Sequence, residues 1–75
     1  MTVYEIVPHK SYIEGIALVA AESKNVAINL WIKEDERNKD LWYEGKCSCF
    51  VNTDLKAVTD TPKVLIDKIV DIREI

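Results

Sequence analysis

What this chain has little of narrows its function sooner than what it has in plenty. Its 75 residues include two glycines, Gly15 and Gly45, two prolines, two cysteines and a single histidine, His9. Two isolated glycines cannot build the glycine-rich loop that cradles a phosphate, so P-loop and dinucleotide-binding folds are excluded. No G-x-S-x-G turn is present, and His9 has no serine or cysteine in a recognisable nucleophile setting near it. The longest unbroken apolar run, Ile16 to Ala21, is far short of the roughly 20 residues a membrane-spanning helix needs. The opening MTVYEIVPHK has neither a basic leader nor a long apolar stretch, so it does not read as a signal peptide.

Runs of lysine or arginine are missing too. The formal charge is −3, from 13 acidic and 10 basic residues. Proteins that bind nucleic acid concentrate positive charge on one face, so the sequence argues against such a partner unless Lys10, Lys24, Lys46, Lys56 and Lys63 converge. The negative excess is too small and scattered for a DNA-mimicking surface. Two cysteines without a leader fit a reducing cytoplasm, which is the expected location.

Apolar residues make up 48% and charged residues 31% of the chain, the balance of a folded domain rather than a disordered one. The length allows one domain, residues 1–75. At this size folding buries only about 60% of the unfolded chain's surface. A small core with so many apolar residues favours covering one face with a second copy.

Along the chain, Thr2 to Val7 reads as a strand, rich in β-branched and aromatic residues and ended by Pro8. Tyr12 to Ala20 reads as a second strand, apolar on both faces, with Gly15 marking a bulge or the close approach of another backbone. The short connection makes these two an antiparallel hairpin. Ser23 is the expected N-cap of a helix whose apolar stripe centres on Ala27, Leu30 and Trp31, flanked by Val26 and Ile28. Lys33 to Asp40 reads as its solvated end, running into a loop around Asn38. Leu41 to Val51 alternates Leu41, Tyr43, Gly45, Cys47, Cys49 and Val51 with a mixed set, and reads as a third strand, one face buried and one partly wet, around which the rest of the chain is expected to pack. Asn52 to Asp54 is turn-prone, Leu55, Ala57 and Val58 define at most a short helical turn, and Thr59 to Pro62 is a breaker. Lys63 to Ile75 alternates Val64, Ile66, Val70 and Ile72 as a strand would and repeats Leu65, Ile69 and Ile72 as a helix would; the β-branched residues and the preceding proline favour a fourth strand, bent near Asp67 and Lys68, over a helix.

The order β-β-α-β-β predicts an α+β domain: two layers, with one helix over one face of a four-stranded antiparallel sheet. The run from Gly15 to Ser23, GIALVAAES, resembles a pattern in small uncharacterised bacterial proteins, many encoded on mobile elements. Their opening hairpin also passes from a glycine through a small-residue strand into a capped helix. The entry Pro62-Lys63-Val64 is similar as well, so that the resemblance covers about half the chain. It implies the same β-β-α-β-β order and no site residues.

Residues with chemical potential read mostly as structure. Cys47 and Cys49 would face the same way on a strand. A structural zinc site needs four ligands, and a redox pair needs two intervening residues at a helix start. The two thiols therefore read as small core residues, with no metal or cofactor expected. Glu5, Glu44, Asp67, Asp71 and Glu74 read as solvated groups or cross-strand partners of Lys46, Lys63, Lys68 and Arg73. Most of the aromatic residues must serve the core. Trp42 and Phe50, expected on the strand face opposite the cysteines, and Tyr12 are the candidates for an interaction surface. No catalytic residue is expected. The sequence points to a small non-enzymatic interaction or regulatory protein, acting as a homodimer or with a protein partner. The alternative is a ligand-binding module or enzyme whose pocket forms between subunits and uses His9 or a carboxylate.

Overall fold

Where the chain has β-branched and aromatic residues in series it extends, and where polar caps interrupt it, it turns. The computed structural model describes residues 1–56 and 59–74. Strand β1 (Thr2–Pro8) is followed by a short β2 (Ile13–Glu14) and by β3 (Ala17–Ala21). Two helices come next, α1 (Lys24–Glu34) and α2 (Glu36–Tyr43). Strands β4 (Cys47–Lys56), β5 (Lys63–Asp67) and β6 (Val70–Asp71) complete the sheets, and Ile72–Glu74 forms a single 3₁₀ turn. The class is α+β, with a four-stranded antiparallel sheet ordered β4-β1-β3-β5 and a two-stranded ribbon β2-β6. No helix among the described residues is long and apolar enough to cross a membrane.

The expected first hairpin is present: β1 and β3 pair from Thr2 opposite Ala21 to Ile6 opposite Ala17. The second strand, though, is broken in two at Gly15, and the last breaks in two after Asp67, where a bend was expected. The two breaks meet. Gly15 has φ +105° and lies against the Lys68 carbonyl, while Lys68 N–H donates to the Ile16 carbonyl at 3.0 Å. Beyond this crossing the same two segments pair again as β2 and β6. Ile69, in the bend, is 2% exposed and fills the core. Burying a side chain of this kind contributes roughly 1.5–3 kcal/mol.

The core lies between the helices and one face of the sheet. Tyr4 and Ile6 from β1, Ala17 and Val19 from β3, and Cys47 and Cys49 from β4 meet Ala27, Ile28 and Trp31 from α1. Ser23 caps α1 as expected, its hydroxyl accepting from the Val26 N–H at 3.3 Å. The small side chains of β3 leave room for the fully buried Trp31.

One helix was expected and two are found. Asp35, with extended backbone, ends α1 and begins α2: its side chain accepts from the Arg37 N–H at 2.8 Å and its carbonyl from the Asn38 N–H at 2.9 Å. This break folds α2 back, and Asn38, expected in a solvated loop, is fully buried. Its side-chain amide donates to the Trp31 carbonyl and to the Asp67 carboxylate, each at 2.9 Å. It thereby satisfies one of the last carbonyls of α1, which have no partner within the helix, and joins both helices to β5.

Residues Leu41 to Tyr43 belong to α2, so the expected strand from Leu41 starts instead at Cys47. Gly45 makes the change of direction. At φ +70° it ends α2 in the left-handed conformation, with Gly45 N–H bonded to the Trp42 carbonyl and Lys46 N–H to the Leu41 carbonyl, each at 3.0 Å. That pair of bonds is a Schellman motif. Asn52 to Asp54, expected as a turn, and Leu55, expected at most in a short helical turn, lie in β4, and Ala57 and Val58 lie outside the described residues.

Candidate interaction surface

Alternation along the strands assigns each residue a face. Tyr4, Ile6, Ala17 and Val19 point toward the helices, so Val3, Glu5, Val7, Leu18 and Ala20 lie on the far face. The register aligns one row across that face: Phe50 on β4, Glu5 on β1, Leu18 on β3 and Ile66 on β5. Phe50 is 53% exposed and Ile66 39%, while Glu5 and Leu18 are half-buried. Beside this row, Val3 and Ala20 are paired with each other and buried. No helix packs on this side among the described residues.

The expected candidates are dispersed by the fold. Phe50 is on the far face, opposite the cysteines, as the alternation implied. Trp42 is not its neighbour: it sits on α2, half-buried against the core. Its sequence neighbour Tyr43, which alternation assigned to the buried face, is 72% exposed. Helical rotation of about 100° per residue replaces the 180° of a strand, and this reverses the expected orientations of Trp42 and Tyr43. Tyr12 lies in the turn before β2, half-buried beneath the Arg73 guanidinium, which is 3.6 Å from its ring centroid. Lys46 Nζ approaches the same ring at 5.7 Å and pairs with Glu44 at 3.4 Å.

Arg73 is positioned by Asp71, a carboxylate only 5% exposed. Arg73 donates to it from Nε at 3.0 Å, from Nη2 at 2.8 Å and from its backbone N–H at 3.0 Å. These bonds outweigh burial and hold the Asp71 carboxyl down at about 2. A depressed carboxyl stabilises the fold above its unfolded value and loses that contribution as pH falls through its folded value. Wild type is therefore expected to lose stability between about pH 4 and about pH 2, and Asp71→Asn to show a flatter profile there. Urea unfolding at a series of pH values reads this directly.

Cys47 and Cys49 are both free and buried, and they share the core face as expected. Burial pushes the Cys47 thiol up to about 11, with the Asp67 charge adding to it, and burial also raises Cys49. Both shifts favour the protonated thiol over the thiolate. No group of three or more metal-ligating side chains comes together among the described residues. His9 is exposed at the end of β1, where its backbone N–H bonds to the Lys46 carbonyl at 3.0 Å.

The edges of the sheet differ sharply. β5 is short, is preceded by Pro62, and carries an irregular register opposite Leu18 and Val19 with lysines at positions 63 and 68. Those are the features by which an edge is protected against pairing. β4 has no charged residue from Cys47 to Thr53. Phe50 and Val51 are each 53% exposed on it, and no strand pairs on its outer side among the described residues. Composition shows the uncharged stretch, but only the strand order shows that it forms an edge. No family model, curated protein or solved structure matches the chain.

Proposed function

We propose that this chain is a small non-enzymatic protein that works by association, with a second copy of itself or with a protein partner. The reading rests on one observation: a row of Phe50, Glu5, Leu18 and Ile66 crosses the far face, apolar but for Glu5 and exposed at Phe50 and Ile66, and ends at an uncharged β4 edge with no strand on its outer side among the described residues. Exposed apolar surface of this kind is costly in water and is characteristic of interaction sites. Phe50 stands at the corner where face and edge meet. Tyr12 and Trp42 act behind it, Tyr12 by fixing the β2-β6 ribbon and Trp42 by seating α2.

Sedimentation over micromolar to millimolar concentrations tests the reading. Wild type is expected to associate, and Phe50→Ser with Ile66→Ser is expected to stay folded while its association weakens about tenfold or more, since each exposed side chain gives up only apolar surface. A second arm covers a foreign partner: hydroxyl-radical labelling of Phe50 and Ile66 in buffer and in extract of the native cell. A wild-type chain that remains monomeric throughout, with both residues labelled equally in the two media, removes the basis of the proposal.

A further inference from the structure

The free edge of β4 carries a charge pattern that is complementary to itself. Reading outward from Phe50, Ser48 is matched by Asn52, and Lys46, just before the strand, by the exposed Asp54. We infer that β4 pairs antiparallel with β4 of a second copy about a two-fold axis at Phe50, joining two sheets into one. This inference rests on the association reading above and names its partner and register.

The register follows from two constraints. In an antiparallel ladder, residues directly opposite each other lie on the same face of the sheet. Keeping both cores on one side therefore restricts the pairing to registers that oppose residues of like face, and a slip of one residue would turn the partner's core face outward. Among the allowed registers, centring on Cys49 sets Lys46 opposite Asn52, and centring on Val51 sets Asp54 opposite Ser48, so neither brings the two charges together. Unlike charges placed opposite each other are stabilising, and like charges destabilising. Centring on Phe50 sets Lys46 opposite Asp54, two unlike charges, and does so twice by symmetry.

The geometry of the edge agrees. The pairing of β4 with β1 runs without irregularity from Cys47 to Asn52, which holds this part of the edge extended. At Asn52 the side-chain oxygen accepts from the Asp54 and Leu55 N–H groups, each at 3.0 Å, and the strand departs from its register there. The ladder would thus run from Ser48 to Asn52 in each chain, with the exposed Asp54 at one end and Lys46 at the other. On the far face Phe50 would meet its own counterpart. On the core face Val51 would lie opposite Cys49, covering the side chain the monomer leaves open. The opposite edge, β5, is blocked by its lysines and irregular register, so the pairing closes at two chains.

Sedimentation of the full chain at low ionic strength tests this, with wild type, Lys46→Glu, Asp54→Lys and an equimolar mixture of the two variants. Each variant alone opposes like charges twice and is expected to weaken the dimer about tenfold. In the mixed dimer both contacts again oppose unlike charges, so mixing is expected to restore wild-type affinity. Because Lys46 also contacts Glu44 and approaches Tyr12, a second measurement avoids that residue. Phe50→Cys is expected to cross-link to its own copy under mild oxidation, whereas Leu65→Cys on the other edge is not. A wild-type dimer unaffected by either charge variant, or cross-linking at both edges alike, overturns this register and leaves association by the far face standing. A wild type that is monomeric at every concentration overturns the pairing altogether, and the labelling arm then decides whether association with a foreign partner survives.

Discussion

Gly15→Ala is expected to lower the melting temperature by about 15–30 °C, the equivalent of about 4 kcal/mol in a domain of this length. Two costs combine. The backbone at Gly15 has φ +105°, a conformation that L side chains rarely adopt. An added Cβ would also overlap the Lys68 carbonyl oxygen and lie 2.7 Å from its carbon. That oxygen belongs to backbone fixed by the Lys68 N–H bond to Ile16 and by the burial of Ile69. Relief would require the β5-β6 segment to move away from the sheet, opening the core. Total stability for 75 residues is on the order of 4–11 kcal/mol, so the loss is expected to remove between about a third and all of it. Gly45→Ala is the control. Its φ is +70° and nothing lies within 4 Å of an added Cβ, so only the left-handed backbone cost of about 1–2 kcal/mol applies. Thermal unfolding of the two variants followed by circular dichroism separates them. Equal effects would mean that the crossing at Lys68 is not tight.

Asn38→Leu is expected to cost about 1–3 kcal/mol, although leucine has the same number and branching of side-chain heavy atoms and is better suited to a buried position. The working part of Asn38 is its amide nitrogen, which donates to the Trp31 carbonyl and the Asp67 carboxylate. Leucine leaves the buried Trp31 carbonyl without that donor, which forfeits its full desolvation cost, while water can replace the bond lost by the exposed Asp67 carboxylate. Asn38→Asp keeps the size and removes the donor, turning a carboxylate toward another carboxylate and a carbonyl. Its folded pKa should rise above the unfolded value. Its penalty is therefore absent below the unfolded value, grows as pH climbs toward the folded one, and is complete above it. Urea unfolding at neutral and mildly acid pH is expected to show Asn38→Asp recovering on acidification and Asn38→Leu not. Loss of less than about 1 kcal/mol in Asn38→Leu would show that the helices are held by apolar packing alone.

Both predictions turn on residues whose importance was unequally visible beforehand. Gly15 could be singled out, because a glycine inside an apolar strand has few reasons to be there. Its partner could not be named, since Lys68 is more than fifty positions away in sequence. Asn38 offered no local signal. Between Lys39 and Arg37 it looks solvated, and only the fold-back at Asp35 carries it inside. Asp35 itself is a favourable N-cap residue, a start signal hidden in a charged run.

The stretch from Leu41 to Val51 shows the same division. Its period of two is genuine from Cys47 onward, and coincidental over Leu41, Tyr43 and Gly45. Gly45 was legible as the end of a helix only if the helix had been seen first. The site suffered accordingly: Phe50 kept its expected face, while Trp42 and Tyr43 exchanged roles when strand became helix.

By itself the sequence determined the α+β class, the hairpin that opens the chain, the Ser23 cap, the bend near Asp67 and the shared core face of the two cysteines. Each depends on interactions a few residues long, so local pattern is enough. Strand order, the contact of Gly15 with Lys68, the burial of Asn38 and the exposure of the β4 edge were decided by tertiary structure. They depend on which distant backbones come within hydrogen-bonding distance, and periodicity along one segment carries no information about that. Lys46 and Asp54 stand equally far from Phe50 in the sequence, but that spacing bears on pairing only once β4 is found at the edge of the sheet with no neighbour on its outer side among the described residues.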